Sequence, residues 1–580
     1  MKNLFRRKSI EMILQHADIE AKTSSGMKRN LSVRDLTALG IAAIIGAGIF
    51  STIGTAAVNG GPAVSLLFVF TAIACGFSAM CYAQFASGIP ISGSAYTYAY
   101  VSFGELIAWI IGWDLIMEYA VGNIAVAISW SDYFTGFMHG IGMKIPEYMS
   151  TDFLTASRGY HNALESLHNG IPFNQLSSGI QEAYTAWQNA PQFFGIRFIA
   201  DIPAFSIVVF ITYLVYKGIY ETKVAGNIMV ILKLIILMVV IGVGAFYVDP
   251  HNWSPFAPNG VAGVMKGVAG VFFAYIGFDA ISTTAEECKN PKKDLPRAMI
   301  YALSITTVLY VLISLVLTGM ISYSELGVGD PLAYAFEKLH LTRLSGIIGI
   351  SAIIAMASVL LVFQVGQPRI WMSMSRDGLL PKRFSKLHPK YRTPAFATIV
   401  AGILVAIPSL FLNLTEVTDL TSIGTLFAFV LVSGGVLIMD TPKNGNTLQQ
   451  GGSYRVPYVS SRYILPMLWI VVLFALFYLN AEGVFRFFDV SGERYHTIGF
   501  WNTFKHQIPM FGFMIIAVII SILAILRKFS LIPVLGLLTN LYLMTELGIT
   551  NWLRFLIWLF VGLVLYFAYG NKHSKLVNGK

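Results

Sequence analysis

Ile44-Ile45-Gly46-Ala47-Gly48-Ile49-Phe50 and Phe272-Phe273-Ala274-Tyr275-Ile276-Gly277-Phe278-Asp279-Ala280 are apolar stretches interrupted by glycine, each inside a segment long enough to cross a bilayer. Glycine has no Cβ, so a chain break at Gly46 or Gly48 costs little and lets backbone come close to a ligand. Such a break exposes N–H groups at the start of the following half-helix, a positive dipole end that suits a carboxylate. A break near Gly277 leaves the carbonyls of Phe273, Ala274 and Ile276 at a negative end, which suits an ammonium. One broken helix for each end of a zwitterion describes an α-amino acid site. Its candidate contacts are Ile44, Gly46, Ala47 and Gly48 on one side and Phe273, Ala274 and Ile276 on the other. Close helix packing through small residues explains either stretch alone; both at matching positions favour the site.

These stretches lie in the first and sixth of fourteen apolar runs, at 35–56, 63–88, 104–132, 198–216, 222–248, 261–286, 296–321, 345–373, 395–413, 417–439, 463–481, 508–526, 530–547 and 550–569. Five is an odd number of spans, so the second set of five enters the membrane inverted, and paired broken helices in inverted halves point to a transporter site at mid-membrane. The expected organisation is a basic tail at 1–30, a first five-helix repeat at 31–248, a second at 261–440, four additional spans at 463–570 and a tail at 571–580. Residues 133–197 interrupt the first repeat as a polar insertion, read as a small extracellular cap, and a second outside insertion covers about 480–507. Ser32-Val-Arg-Asp35 has the spacing of a capping box opening the first span.

The composition agrees with an all-α polytopic membrane protein. The 580 residues are 56% hydrophobic and 12% charged, about half the charge fraction of soluble domains. A net charge of +10 would suit nucleic acid, but its placement follows the membrane. With the N-terminus inside, 29 of the 40 Lys and Arg fall on the cytoplasmic face, which puts both termini in the cytoplasm of a multi-pass cell-membrane protein. The lipid bilayer accounts for the charge, and no nucleic-acid partner is expected. The first 30 residues have no apolar signal-peptide core, so the first span is read as an uncleaved anchor. None of the cysteines, Cys75, Cys81 and Cys288, falls in an outside loop, so no disulfide framework is expected.

Lys233 sits in the middle of the apolar fifth span. A charge at that depth costs at least about 2.5–3.5 kcal/mol, and leucine would fill the same space without the penalty, so a proton- or ion-coupling role or a substrate contact is expected. Glu118 and, one turn earlier, Asp114 in the third span, and Asp279 after the sixth-span break, are the ionisable groups available to it. Glu118 is the expected proton-coupling partner, with a static Glu118–Lys233 ion pair as the alternative. Asn123, a turn beyond Glu118, is a candidate substrate contact or an interhelical hydrogen bond. Opposite charges at Glu286 and Glu287 and at Arg376 and Asp377 suit either an inner gate or a solvated face.

The chain resembles the amino acid–polyamine–organocation superfamily, and within it the cationic amino acid transporter family with its bacterial members. The matching segments are Lys28-Arg-Asn-Leu-Ser-Val-Arg-Asp-Leu-Thr-Ala-Leu-Gly-Ile-Ala-Ala-Ile-Ile-Gly-Ala-Gly-Ile-Phe50, Gly277-Phe-Asp-Ala280, Glu286-Glu-Cys-Lys-Asn-Pro-Lys-Lys-Asp-Leu-Pro-Arg297, Gly366-Gln-Pro-Arg-Ile-Trp-Met-Ser-Met-Ser-Arg-Asp-Gly-Leu-Leu-Pro381 and Asn551-Trp-Leu-Arg-Phe-Leu-Ile-Trp558. The resemblance implies a LeuT-type fold of five-plus-five inverted repeats, broken helices 1 and 6, and about fourteen transmembrane helices. It implies that Lys233 matches the fifth-span lysine used for proton coupling. It also implies that Met356, in the eighth span, lines the side-chain pocket, where a bulky apolar residue favours small neutral L-amino acids over arginine and lysine. Asp279 looks architectural in its motif. The insertion at 133–197 and Ala47, where some relatives carry Thr or Ser, depart from the pattern.

The expected function is proton-coupled uptake of L-amino acids by alternating access, with protons and substrate as the partners. An amino acid exchanger and a cationic amino acid transporter are the alternatives. An enzyme is not expected. The ten histidines fall in expected loops or tails, and HExxH, GxSxG and Walker A sequences are absent. No cofactor or metal is called for, and a small single-span membrane partner is left open.

Overall fold

The structure is a computed structural model describing residues 4–8, 30–89, 91, 94–218, 223–439, 454–488 and 499–576. Most of the expected basic tail at 1–30 and the middle of the 480–507 insertion lie outside the described residues. Each of the fourteen expected spans coincides with a helix or with a pair of half-helices. Among the described residues ten helices are long and apolar enough to cross a membrane, and Ile202–Tyr216, Ala395–Ser409 and Leu531–Glu546 are shorter apolar helices.

The first span opens as its sequence dictates. Ser32 is the N-cap of α1 (Val33–Ile44), and its N–H and Oγ both donate to Asp35 Oδ2, at 2.8 and 2.6 Å. The α-helix stops at Ile44. A single π-turn follows at Gly48–Thr52, and α2 (Ile53–Gly60) completes the span. The second span is α3 (Val64–Gly88), followed by the short α4 (Ser94–Ser102).

The third, α5 (Glu105–Gly140), outruns its expected end at 132, so the cap begins later than the sequence suggests. Its polar far end still repeats with helical period and is carried into the cap. There α6 (Phe153–His168) and α7 (Ser178–Asn189) pack together, and a two-stranded hairpin joins Gln192–Phe193 to Ile196–Arg197. His161 and His168 are exposed on α6. The fourth and fifth spans are α8 (Ile202–Tyr216) and α9 (Lys223–Gly244).

The second half repeats the pattern. After α10 (Gly260–Met265), the sixth span consists of α11 (Val268–Phe273) and, beyond Gly277, a 3-10 segment at Phe278–Glu287. Then come α12 (Pro291–Met320), the short outer helix α13 (Pro331–Lys338), α14 (Thr342–Arg376), α15 (Ala395–Ser409) and α16 (Leu414–Met439). The last four are α17 (Ser461–Phe488), α18 (Phe500–Arg527), α19 (Leu531–Glu546) and α20 (Ile549–Leu565).

Members of the two halves pack pairwise. α1 lies on the 3-10 segment of the sixth span, α3 on α12, α5 on α14 and α8 on α15. The first and sixth spans are held at the centre, while α17 and α18 turn many apolar side chains outward.

Both ends of the chain meet at one end of the bundle. The first N–H groups of α5 have no acceptor within their own helix. The chain's opening residues supply them: Glu105 N–H donates to Arg6 O at 2.9 Å and Leu106 N–H to Leu4 O at 3.0 Å. The Glu105 carboxylate is fully buried and accepts from the hydroxyls of Tyr100 (3.0 Å), Tyr566 (2.9 Å) and Ser574 (2.5 Å). Lys8 contacts Asp377, which also accepts from Tyr96 Oη at 2.6 Å.

Candidate functional site

The break in the first span leaves the last carbonyls of α1 without helical partners. Three of them are taken by side chains from other spans. Lys233 Nζ, 1% exposed on α9, donates to Ala42 O at 3.0 Å and Ile45 O at 3.1 Å. Tyr310 Oη on α12 donates to Ile44 O at 3.0 Å. The buried ammonium is thereby aimed at the negative end of the first half-helix, and it ties the fifth span to the break. The following helical run starts at Gly48, so the N–H groups ahead of it have no intrahelical acceptor.

In the sixth span α11 ends at Phe273, and Gly277 turns the chain with φ of 117°. Only glycine adopts that angle freely. A Cβ on Gly277 would come within 2.9 Å of the Ala43 backbone. The Phe273 carbonyl, expected to be open, accepts from Ile276 N–H at 3.2 Å. The two breaks touch: a Cβ on Gly48 would fall 2.2 Å from Ala274 Cα. Gly46 faces Val359, whose Cγ2 would lie 2.8 Å from such a Cβ.

Between the breaks lies a small, partly open cavity. Its lining includes Ile44, Gly46, Ala47 and Gly48 from the first break and Phe273 and Ile276 from the second. Val126 of α5 and Val359 and Phe363 of α14 complete an apolar wall. In this conformation the space is tight, with room for about one water molecule, and its side-chain wall is apolar.

Six of the sequence-selected residues are thus brought together. Ala274 packs behind Gly48. Asn123 is not among the lining residues; its Nδ2 donates to Gln364 Oε1 at 2.8 Å, while its Oδ1 has no hydrogen-bond partner. Met356 is fully buried, and the lining position on α14 is Val359, nearly one helical turn on. Val126, Val359 and Phe363 were missed because nothing in an apolar helix marks which face meets a cavity. A helical wheel for α5, phased on Glu118 and Asn123, would have placed Val126 near them.

Glu118 lies beside Thr425 of α16 and within electrostatic reach of Asp279 and Asp114. Lys233 is directed to the first break. Toward the end carrying the termini, Arg369 of α14 pairs with Glu287 at 2.9 Å, and Asp377 is engaged by Lys8. Toward the other end, Tyr133 Oη donates to Phe50 O at 2.6 Å, and Thr52 Oγ1 to Gly270 O at 2.9 Å, so the two broken spans and α5 are fastened together above the cavity. Among the described residues no group of His, Cys, Asp and Glu is arranged to hold a metal ion.

Comparison with known proteins agrees with this geometry. A family model described as amino acid permease matches residues 31–492, and one described as the C-terminus of AA_permease matches 530–574. The chain is 38% identical over 577 residues to a branched-chain amino acid permease of Bacillus subtilis, covering 99% of each protein. It is 35% identical to a methylthioribose transporter of the same organism, over 99% of this chain and 100% of that one. It is 30% identical to the vacuolar cationic amino acid transporter 4 of Arabidopsis thaliana, over 100% and 97%.

Proposed function

The chain belongs to the amino acid permease family, and from that premise we propose that it takes up neutral L-amino acids together with protons by alternating access. The observation that carries this is the cavity at the two helix breaks, apolar along its side-chain wall and backed by a buried lysine on the carbonyls of Ala42 and Ile45.

The substrate carboxylate meets the N–H groups ahead of Gly48, and its ammonium meets the carbonyls around Ala274 and Ile276. Val126, Val359 and Phe363 receive the side chain. Protonated Lys233 holds the first half-helix against α9. Loss of that proton removes its attraction for the two carbonyls and lets the half-helix swing. Substrate binding and proton transfer are joined through the same break. The pairwise packing of α1, α3, α5 and α8 with their counterparts supports an inverted-repeat mechanism in which the broken spans move between two closed ends. Placement in the cell membrane with both termini in the cytoplasm follows from the charge distribution.

The apolar wall favours aliphatic amino acids over charged ones. The cationic alternative finds no carboxylate among the lining residues. Counterflow of a radiolabelled amino acid panel in proteoliposomes, with and without an inward proton gradient, tests both points. Gradient-driven accumulation of aliphatic L-amino acids is expected. Uptake indifferent to the gradient indicates exchange, uptake of arginine or lysine in preference to leucine indicates the cationic alternative, and no uptake of any amino acid ends the proposal.

A further inference from the structure

Lys233 accounts for one buried titratable group. Asp114 is another, and nothing above uses it. It is fully buried on α5, and neither of its carboxylate oxygens has a hydrogen-bond partner. Asp114 and Glu118 are spaced i to i+4, which places them on one helix face with Cβ atoms about 5–6 Å apart. Glu118 Oε2 and Asp279 Oδ2 are also buried without partners. Among the described residues none of these three carboxylates forms an ion pair with a basic side chain. The charged groups acting on Glu118 are Asp279 and Asp114.

Independent of the acids, two buried tyrosine hydroxyls without partners, Tyr82 of α3 and Tyr119 of α5, interact with both Glu118 and Asp279. Tyr98 of α4 lies beside Ser282 and within electrostatic reach of Asp279. Hydroxyls can accept and donate at once, so they suit proton passage between carboxyl groups.

The position of Asp114 gives the sequence a direction. Along α5 it lies about 13 Å from Glu105, and Glu118 about 6 Å further. Glu105 marks the end of the bundle that carries both termini. Between Asp114 and that end, Tyr96 packs against Gly112 and donates to Asp377, which is partly exposed. Asp114 therefore lies between Glu118 and the end of the bundle that carries the termini.

We propose that Asp114 is a proton-carrying residue of the transport cycle, taking a proton from Glu118 one helical turn away and releasing it at the end of the bundle that bears the termini. This rests on the proton-coupled reading above. One O–H bond breaks at Glu118 as one forms at the Asp114 carboxylate, and the proton is then lost from Asp114 to water when that end opens. No other reactant is needed.

The test uses the full-length protein in proteoliposomes with radiolabelled L-leucine, measuring accumulation under an inward proton gradient, accumulation under a sodium gradient, and counterflow without either. Asp114→Asn is expected to lower proton-driven accumulation about tenfold or more while counterflow stays within about twofold, because only net proton transfer is removed. Its uptake is also expected to lose the dependence on internal pH shown by the parent. Asp114→Thr, smaller and likewise unable to ionise, replaces the amide variant where that one is not monodisperse. Unchanged accumulation in the variant, or parallel loss of accumulation and counterflow, overturns the proposal. Parent vesicles driven by sodium, or by neither gradient, instead remove the proton-coupled reading itself, before any variant is compared.

Discussion

Lys233 makes its contribution through backbone rather than through an opposite charge. Its Nζ satisfies Ala42 O and Ile45 O, two carbonyls that a continuous helix would have paired internally. Lys233→Ala is expected to lose gradient-driven accumulation by about tenfold or more; accumulation equal to the parent in proteoliposomes contradicts the coupling role. Gly48 is constrained from outside, since a Cβ there meets Ala274 Cα at 2.2 Å. Backbone atoms cannot rotate away, so Gly48→Ala forces the two broken spans apart. Counterflow is expected to be abolished with the protein still monodisperse, and normal counterflow in that variant rules out the close approach. At the cavity wall, Val359→Ser removes apolar contact with the substrate side chain. One or two methyl-sized contacts are worth about 1–3 kcal/mol, so leucine should bind about tenfold or more weakly, by competition against labelled substrate, while Met356→Ser should change little. The glycines and Lys233 were legible in the sequence because each is costly or unusual in an apolar run. Val359 and Phe363 were not, because apolar residues fit every face of a membrane helix and only packing selects the one that meets the cavity.

The helix termini show how elements are joined. α5 begins on acceptors contributed by residues 4–6, and its first side chain, Glu105, collects three hydroxyls from α4 and the C-terminal segment. Hydrogen bonds to a buried charge are worth about 1.5–3 kcal/mol each. Glu105→Gln is therefore expected to lower thermal stability in detergent clearly and to speed amide exchange in residues 4–8 and 566–575; unchanged exchange there argues against this junction. At the other end of the bundle, Asp201 caps α8 by accepting from Ala204 N–H at 3.0 Å and Ser131 Oγ at 2.6 Å. Beside α13, burial and the nearby Glu182 and Glu337 push the Asp330 carboxyl up to about 7. The unfolded chain releases this proton near pH 4, so between about pH 4 and 7 the folded state binds more protons, and stability falls as pH rises through that range. Amide exchange at 328–334, corrected for its intrinsic pH dependence, is expected to be slower at pH 5 than at pH 8, and Asp330→Asn should shrink that difference. A helix start at 202 could be inferred from Asp201-Ile-Pro203, whereas the contribution of residues 4–6 to α5 could not, since the two are joined only by the fold.

Over the whole molecule, the cap behaves as a separate layer moored to the bundle. Arg158 reaches Glu416 of α16 at 2.8 Å, Arg554 of α20 reaches the same carboxylate at 3.0 Å, and Asn413 bonds Thr155. Exposed ion pairs are worth about 0–1 kcal/mol, so Arg158→Ala is expected to leave melting temperature and transport nearly unchanged, which a thermal-shift assay and uptake measurement check. The amino-acid sequence by itself determined that the chain crosses a membrane many times, that its first and sixth spans are interrupted, and that a lysine lies buried in the fifth. Those features are local: hydropathy over one span, a missing Cβ, a charge without water. Tertiary structure alone decided that Lys233 would serve carbonyls of the first span while Glu118 joined Asp114 and Asp279. In an interior without water a polar group can find a partner only on a span that lies alongside, and that neighbour is set by how the two halves of the chain pack.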